Sequence, residues 1–169
     1  MKVYCNSKEK MINMVCRMVL VILAGWLLLL LVQLLRWTEV IDITIGLGTQ
    51  IRPIAWSAVN KVHSIQWIEL TGYSLSTIIL IFLSSRFIIP CFGKLDIKKI
   101  FNRQHAKFLW GITIADFFFE FFSLNIDILF GLREIQFSSG IIISPLLFLI
   151  MTLMYEVAVS ITEENELTI

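Results

Sequence analysis

The chain has 169 residues, 57% hydrophobic and 16% charged, with a mean hydropathy of +0.83 and a formal net charge of +1. A soluble domain is about 45–50% apolar and about 25% charged, so the excess points to a lipid bilayer as solvent. The near-neutral balance, with no basic arm, argues against direct nucleic acid binding.

Cys5, Cys16 and Cys91 are odd in number and fit no zinc spacing, and His63 and His105 lie far apart. Free thiols near a membrane surface and no metal site are predicted. No phosphate loop, serine elbow or metal motif is present, so no catalytic residue, cofactor or enzyme activity is expected.

Residues 18–35 form a charge-free run. A signal-peptide core is shorter, about 7–15 residues, and ends at a small-residue cleavage site. Trp26 stands where a lipoprotein signal would carry its cysteine. A retained first span over residues 12–35 is predicted.

Residues 36–69 form the one sizeable loop. Ile41, Ile43, Ile45 and Leu47 alternate as in an extended stretch. Pro53 suits a first helical position. Apolar Ile54, Ala58, Val62 and Ile65, with Trp56 and Trp67, predict a short interfacial helix leading into span two.

Span two covers residues 70–89, with Arg86 in its last turns and Pro90 as a stop. Gly72, Ser76, Ser84 and Ser85 offer a small-residue side, either a homo-oligomer face or ordinary close packing within the bundle. The next loop carries Lys94, Lys98, Lys99, Arg103 and Lys107. It is either a site for a cytosolic partner or anionic lipid, or simply a topology signal.

Span three covers residues 108–130 and holds the stretch ADFFFEFFSLNID. On a helix, Asp116 and Glu120 differ by about 40° and Asp116 and Asp127 by about 20°, so all three share one face. An ionised acid at the centre of a spanning helix costs about 2.5–3.5 kcal/mol, so that face turns to the bundle interior, water or a partner. By helical rise, Asp116 lies about 12 Å and Arg86 about 9 Å from the same surface. An Arg86–Asp116 ion pair is expected, with Glu156 a second candidate partner for Arg86. Glu120 has no cation at its depth and is expected to be protonated or hydrogen-bonded to a neighbouring Ser or Thr. The stripe is either a proton or cation relay or a polar packing seam.

Span four covers residues 135–160, with Pro145 bending it near one end. The tail, residues 161–169, carries Glu163, Glu164 and Glu166 and no cation. It can contact the basic middle loop or a basic cytosolic protein. Lys2, Lys8, Lys10 and Arg17 join the middle loop in marking the basic side. Both termini are therefore expected in the cytoplasm, with the cysteines at or near that reducing side.

Four spans, the long first loop, the segment IFNRQHAKFLWGI and the ending TEENELTI resemble a bacterial membrane family described as domain of unknown function 2975. Its members close with an acidic run, then LT and an aliphatic residue. The apolar YEVAVS departs from the charged, glycine-containing approach to the tail that members often have. The resemblance implies no established activity. It implies a membrane partner for a small helix-turn-helix regulator, for which an acidic tail has the right sign.

The expectation is a single all-α domain, an integral four-helix membrane bundle of the bacterial inner membrane, bedded in lipid. Its leading function is a non-catalytic regulatory or interaction subunit that sequesters such a regulator. Arg86, Asp116, Glu120 and Glu156 are the intramembrane polar candidates. Glu163, Glu164, Glu166, Lys98, Lys99 and Arg103 are the partner-binding candidates. The alternatives are a small transporter or proton-coupled permease subunit, with Glu120 and Asp116 on the path, and an immunity protein against a membrane-active peptide, acting through the external loop.

Overall fold

A computed structural model describes residues 2–40, 53–92, 101–131 and 134–167. Among these the regular structure is helical. Helix α1 is Lys2–Trp37, α2 is Asn60–Ile88, α3 is Arg103–Leu124 and α4 is Gly140–Leu167. Two 3₁₀ turns, Ile89–Cys91 and Ile126–Phe130, follow α2 and α3. The alternating stretch at 41–47 and Lys94, Lys98 and Lys99 lie outside the described residues, as do the side chains of Cys5 and Glu166.

Three helical stretches are long and apolar enough to cross a membrane: Lys10–Trp37, Asn60–Cys91 and Gly140–Glu164. Helix α3 is not among them. Its 22 residues rise about 33 Å, which is sufficient length. Each 18-residue stretch within it, however, contains Lys107, Asp116 and Glu120. Packing compensates for that charge, because α3 lies between α2 and α4 and runs antiparallel to both. On the α2 side, Phe122 sits over Gly72, Leu83 lies against Gly111, and the rings of Phe87 and His105 are 5.7 Å apart.

A Cβ on Gly72 would collide with the Phe122 ring, and Ser76 one turn on is buried. At these two positions the small-residue side of α2 is internal packing, which lets the helices approach closely.

Helix α1 lies at the edge. Its buried residues, among those described, are Leu23, Leu30 and Trp37. Trp26 meets Phe119 of α3 edge-on at 5.3 Å. The helix stops where Glu39 adopts φ 58°, the left-handed region in which Thr38 and Val40 donate back to the Leu34 and Leu35 carbonyls.

The expected interfacial helix does not start at Pro53; its second part, from Asn60, is formed as the first turns of α2. Residues 53–57 are irregular, α2 begins at Asn60, and its first three turns take up what was read as loop. The cause is Gln66, which is fully buried. Its amide Nε2 donates to the carbonyls of Ala55 (2.8 Å) and Ile128 (3.3 Å), and its Oε1 accepts from Ser57 N (3.0 Å). Ala55 N also donates to Leu129 O.

Asn125 plays the matching part after α3. Its Nδ2 donates to Phe121 O and Gln136 O, and its Oδ1 accepts from Gln136 N at 2.7 Å. The expected third span is broken at this residue. The fourth helix begins at Gly140, five residues later than predicted, because residues 134–138 run beside Asn125 as irregular chain. Two buried amides thus cap one end of the bundle, and non-helical backbone finds its partners inside protein.

Gln66→Leu keeps an apolar stem of similar length but leaves Ser57 N–H and two carbonyls without that partner. A buried orphaned main-chain group costs about 1–3 kcal/mol; Ile128 is buried, whereas Ala55 is exposed and Ser57 half-buried, so their groups add less. The variant is expected to lose about 2–4 kcal/mol in mixed-micelle unfolding and to become protease-sensitive near residues 53–57. A loss below about 1 kcal/mol would show that the Ala55–Leu129 bond alone holds the segment.

Candidate functional site

Along α3, residues 103, 110, 113 and 116 recur at helical spacing and share one side of the cylinder. Along α4, residues 163, 156, 152 and 144 do the same in the reverse direction. Antiparallel apposition brings them together as four polar rungs.

At the charged end of the bundle, Arg103 Nε and Nη2 donate to the Glu163 carboxylate at 3.0 and 2.9 Å. Trp110 Nε1 donates to Glu156 Oε1 at 2.8 Å. The Thr113 and Thr152 hydroxyls lie 3.2 Å apart, each also within reach of a carbonyl of its own helix, Leu109 or Phe148. Each hydroxyl has one proton, so one donates across the interface while the other donates along its helix. Deepest, Ser144 Oγ donates to Asp116 Oδ2 at 2.7 Å, with Asp116 only 4% exposed.

These rungs redraw the predicted ion-pair map. The Arg86–Asp116 pair is not formed. Arg86 is exposed and lies over the Phe82 ring at 5.6 Å, while the face of α2 toward α3 is set by Gly72, Leu83 and Phe87. Arg86 sits about 100° round the helix from Phe87. Glu156 is not its partner either, being held by Trp110.

The predicted single face of three acids also shortens. Helix α3 ends at Leu124, so Asp127 falls in the following 3₁₀ turn, exposed. Gly131, at φ 101°, then reverses the chain. Glu120, half-buried, continues the α3 stripe beyond Asp116, and no hydrogen bond to it is formed among the described residues. The expected Ser or Thr partner for Glu120 is therefore absent there.

Of the partner-binding candidates, Arg103 and Glu163 hold each other, with side chains 80% and 44% exposed. Glu164 is exposed on the next position of α4. The acidic tail is a helical continuation of α4 as far as Leu167, not a separate strand of chain.

One acid escaped the sequence reading. Glu69 is 3% exposed and its Oε1 has no hydrogen-bond partner. The indole Nε1 of Trp37, 1% exposed, is likewise unpartnered. Trp37 packs on the Tyr73 ring at 5.8 Å, and Glu69 precedes Tyr73 by one helical turn. The signal was present: Gln66, Glu69, Tyr73, Ser76 and Leu80 recur at three- and four-residue spacing, all buried. Starting the helix at 70 hid it.

At the capped end, Trp56 stacks on Trp67 at 5.1 Å, and Trp67 Nε1 donates to His63 Nε2 at 3.1 Å. Both indoles are exposed, as suits a membrane–water boundary. Among the described residues no group of three or more His, Cys, Asp or Glu is placed to hold a metal ion.

Comparison with protein-family models, with curated proteins and with solved structures finds no match to this chain.

The ladder's chemistry is cohesion between α3 and α4. In a double-mutant cycle, Asp116→Ala and Ser144→Ala are expected to couple by about 0.5–1.5 kcal/mol. Arg86→Ala is expected to stay within about 0.5 kcal/mol of the parent and to show no coupling to Asp116→Ala. Coupling between Arg86 and Asp116 would restore the ion pair.

Proposed function

We propose that this chain is a four-span, non-catalytic subunit of a bacterial inner membrane, with both termini and the charged end in the cytoplasm. It would use that end to hold a basic cytosolic partner. The antiparallel packing of α3 along both α2 and α4, with Asp116 turned inward, supports α3 as the fourth span. The lysines and arginines of the N-terminal segment and middle loop support the orientation.

The observation that carries the functional reading is the Arg103–Glu163 pair. It joins the acidic end of α4 to the basic start of α3 while leaving both side chains in solvent. An exposed ion pair contributes only about 0–1 kcal/mol. A partner that brings its own cations can replace Arg103 at little cost, and the freed arginine remains beside Glu156 and Lys107 around a cleft of about 330 Å³. A small helix-turn-helix regulator of the kind implied by the resemblance to domain of unknown function 2975 has a basic DNA-binding surface of the right sign. Held at the membrane, it would be withheld from DNA.

A second reading, a small proton-coupled permease subunit, is favoured by Glu120, a half-buried acid one turn from Asp116 with no hydrogen bond among the described residues, and by Glu69, whose buried Oε1 has no partner.

Affinity capture of the tagged full-length protein in mild detergent separates the two. The first reading expects a DNA-binding protein to co-purify and to be lost with Glu163→Lys or on removal of residues 162–169, while the protein still inserts. Capture that survives both changes overturns it. The second reading expects Glu120→Gln to abolish an ion-dependent phenotype that the tail deletion leaves intact.

A further inference from the structure

The buried residues of α1, Leu23, Leu30 and Trp37, are spaced by seven. A seven-residue step drifts only about 20° round a helix, so they form one narrow seam. Continued one step toward the N-terminus, the seam reaches Cys16. Helix α1 packs along α2 and along the 3₁₀ turn Ile89–Cys91. Cys91 closes that turn, its thiol directed back toward Phe87 O.

Cys16 and Cys91 are both free thiols, half-buried, one on the α1 seam and one in the turn that α1 packs against. Tyr155 of α4 borders the same place, its ring 5.8 Å from that of Phe87, toward whose carbonyl the Cys91 thiol is directed, and stacked on Phe101 at 5.3 Å. Two thiols from different helices, brought together by the α1 seam and a proline-containing turn, constitute a built pair. Neither the helix contacts nor the partner reading requires that they be cysteines.

We infer that Cys16 and Cys91 are a reversible oxidation site, forming an intramolecular disulfide that fastens the N-terminal half of α1 to the end of α2. The oxidant class is a peroxide. One sulfur, as thiolate, attacks a peroxide oxygen, the O–O bond breaks, and a sulfenic acid and one water result. The second sulfur then attacks the sulfenic sulfur, the S–O bond breaks and a second water leaves. Overall two thiols lose two hydrogens and two electrons, and hydrogen peroxide becomes two waters. A dithiol reductant reverses the step. In a reducing compartment the pair rests as thiols and closes on oxidant exposure, the usual mode of intracellular disulfides.

The consequence is local to α1. No described residue of this helix before Leu23 is buried, so the cross-link would fix the half that packing leaves least restrained. It would also tether the turn that leads into the basic middle segment.

The test uses full-length protein carrying Cys5→Ser, in mild detergent, treated with hydrogen peroxide and then with a thiol-alkylating reagent. The expected result is loss of both alkylatable thiols, a mass lower by two hydrogens, and a peptide pair joined through residues 16 and 91, all reversed by dithiothreitol. Adding Cys16→Ser or Cys91→Ser should leave one alkylatable thiol. Retention of both thiols, over-oxidation to sulfinic acids or disulfides between chains would each overturn the assignment. The same treatment in SDS should join the pair more slowly, and equal rates would show that the fold does not bring them together.

Discussion

The packing of this molecule depends on where Asp116 can go. A carboxyl in the middle of an apolar helix costs too much against hydrocarbon, about 2.5–3.5 kcal/mol even by lenient measures. It must be covered. Ser144 covers it with one hydrogen bond at 2.7 Å, and that contact turns one side of α3 onto α4. The opposite side then falls to α2, where Gly72 and Gly111 admit Phe122 and Leu83. A helix whose charges would disqualify it from facing lipid becomes the middle of the bundle. Its phenylalanines fill what remains: Phe119 meets Trp26 and Tyr73, while Phe117 and Phe118 stay exposed.

The two ends of the bundle are finished differently, and the difference follows from what each must satisfy. At the capped end, three irregular segments have backbone groups without helical partners. Gln66 and Asn125 supply both donors and acceptors from one side chain, which neither a carboxylate nor a lysine could do. At the charged end, α4 continues as helix past the apolar run, so its backbone needs no such cap. The remaining problem there is like charge on the tail, and Arg103 answers it in solvent. Cohesion is therefore buried and permanent at one end, exposed and exchangeable at the other.

Much of this was legible from residue order. The apolar cores of the four helices, the stop at Pro90 and the inward turn of Asp116 follow from hydropathy and helical angle. The differences turn largely on the helix ends, on which depth and angle both depend. Starting α2 at residue 70 made Glu69 a loop residue and hid Gln66, although both sit on the same buried stripe as Tyr73. Running span three past Asn125 kept Asp127 on the acid face. Depth matches Arg86 to Asp116, but the α2–α3 contact face is set by Gly72 and by Gly111, which stands outside the small-residue side read on span two. A side-chain amide that binds distant main chain leaves no period in the sequence, so the cap at Gln66 and Asn125 was the least readable feature.

Helix α1 shows what such a bundle gives up. It contributes no rung to the polar ladder, and a seam one residue wide per two turns buries little area. Trp37 fixes one end by inserting between Tyr73 and Phe130, at 5.8 and 6.1 Å. Toward the other end the same seam reaches Cys16, and the turn that α1 packs against ends in Cys91. A leucine at position 16 would extend the Leu23–Leu30–Trp37 pattern and bury more apolar surface, about 0.8 kcal/mol per added methylene. A cysteine opposite a cysteine contributes less in the resting state, but its strength can change with the redox state around it. The seam thus runs from a permanently buried indole to a contact whose bond order is set by chemistry outside the fold.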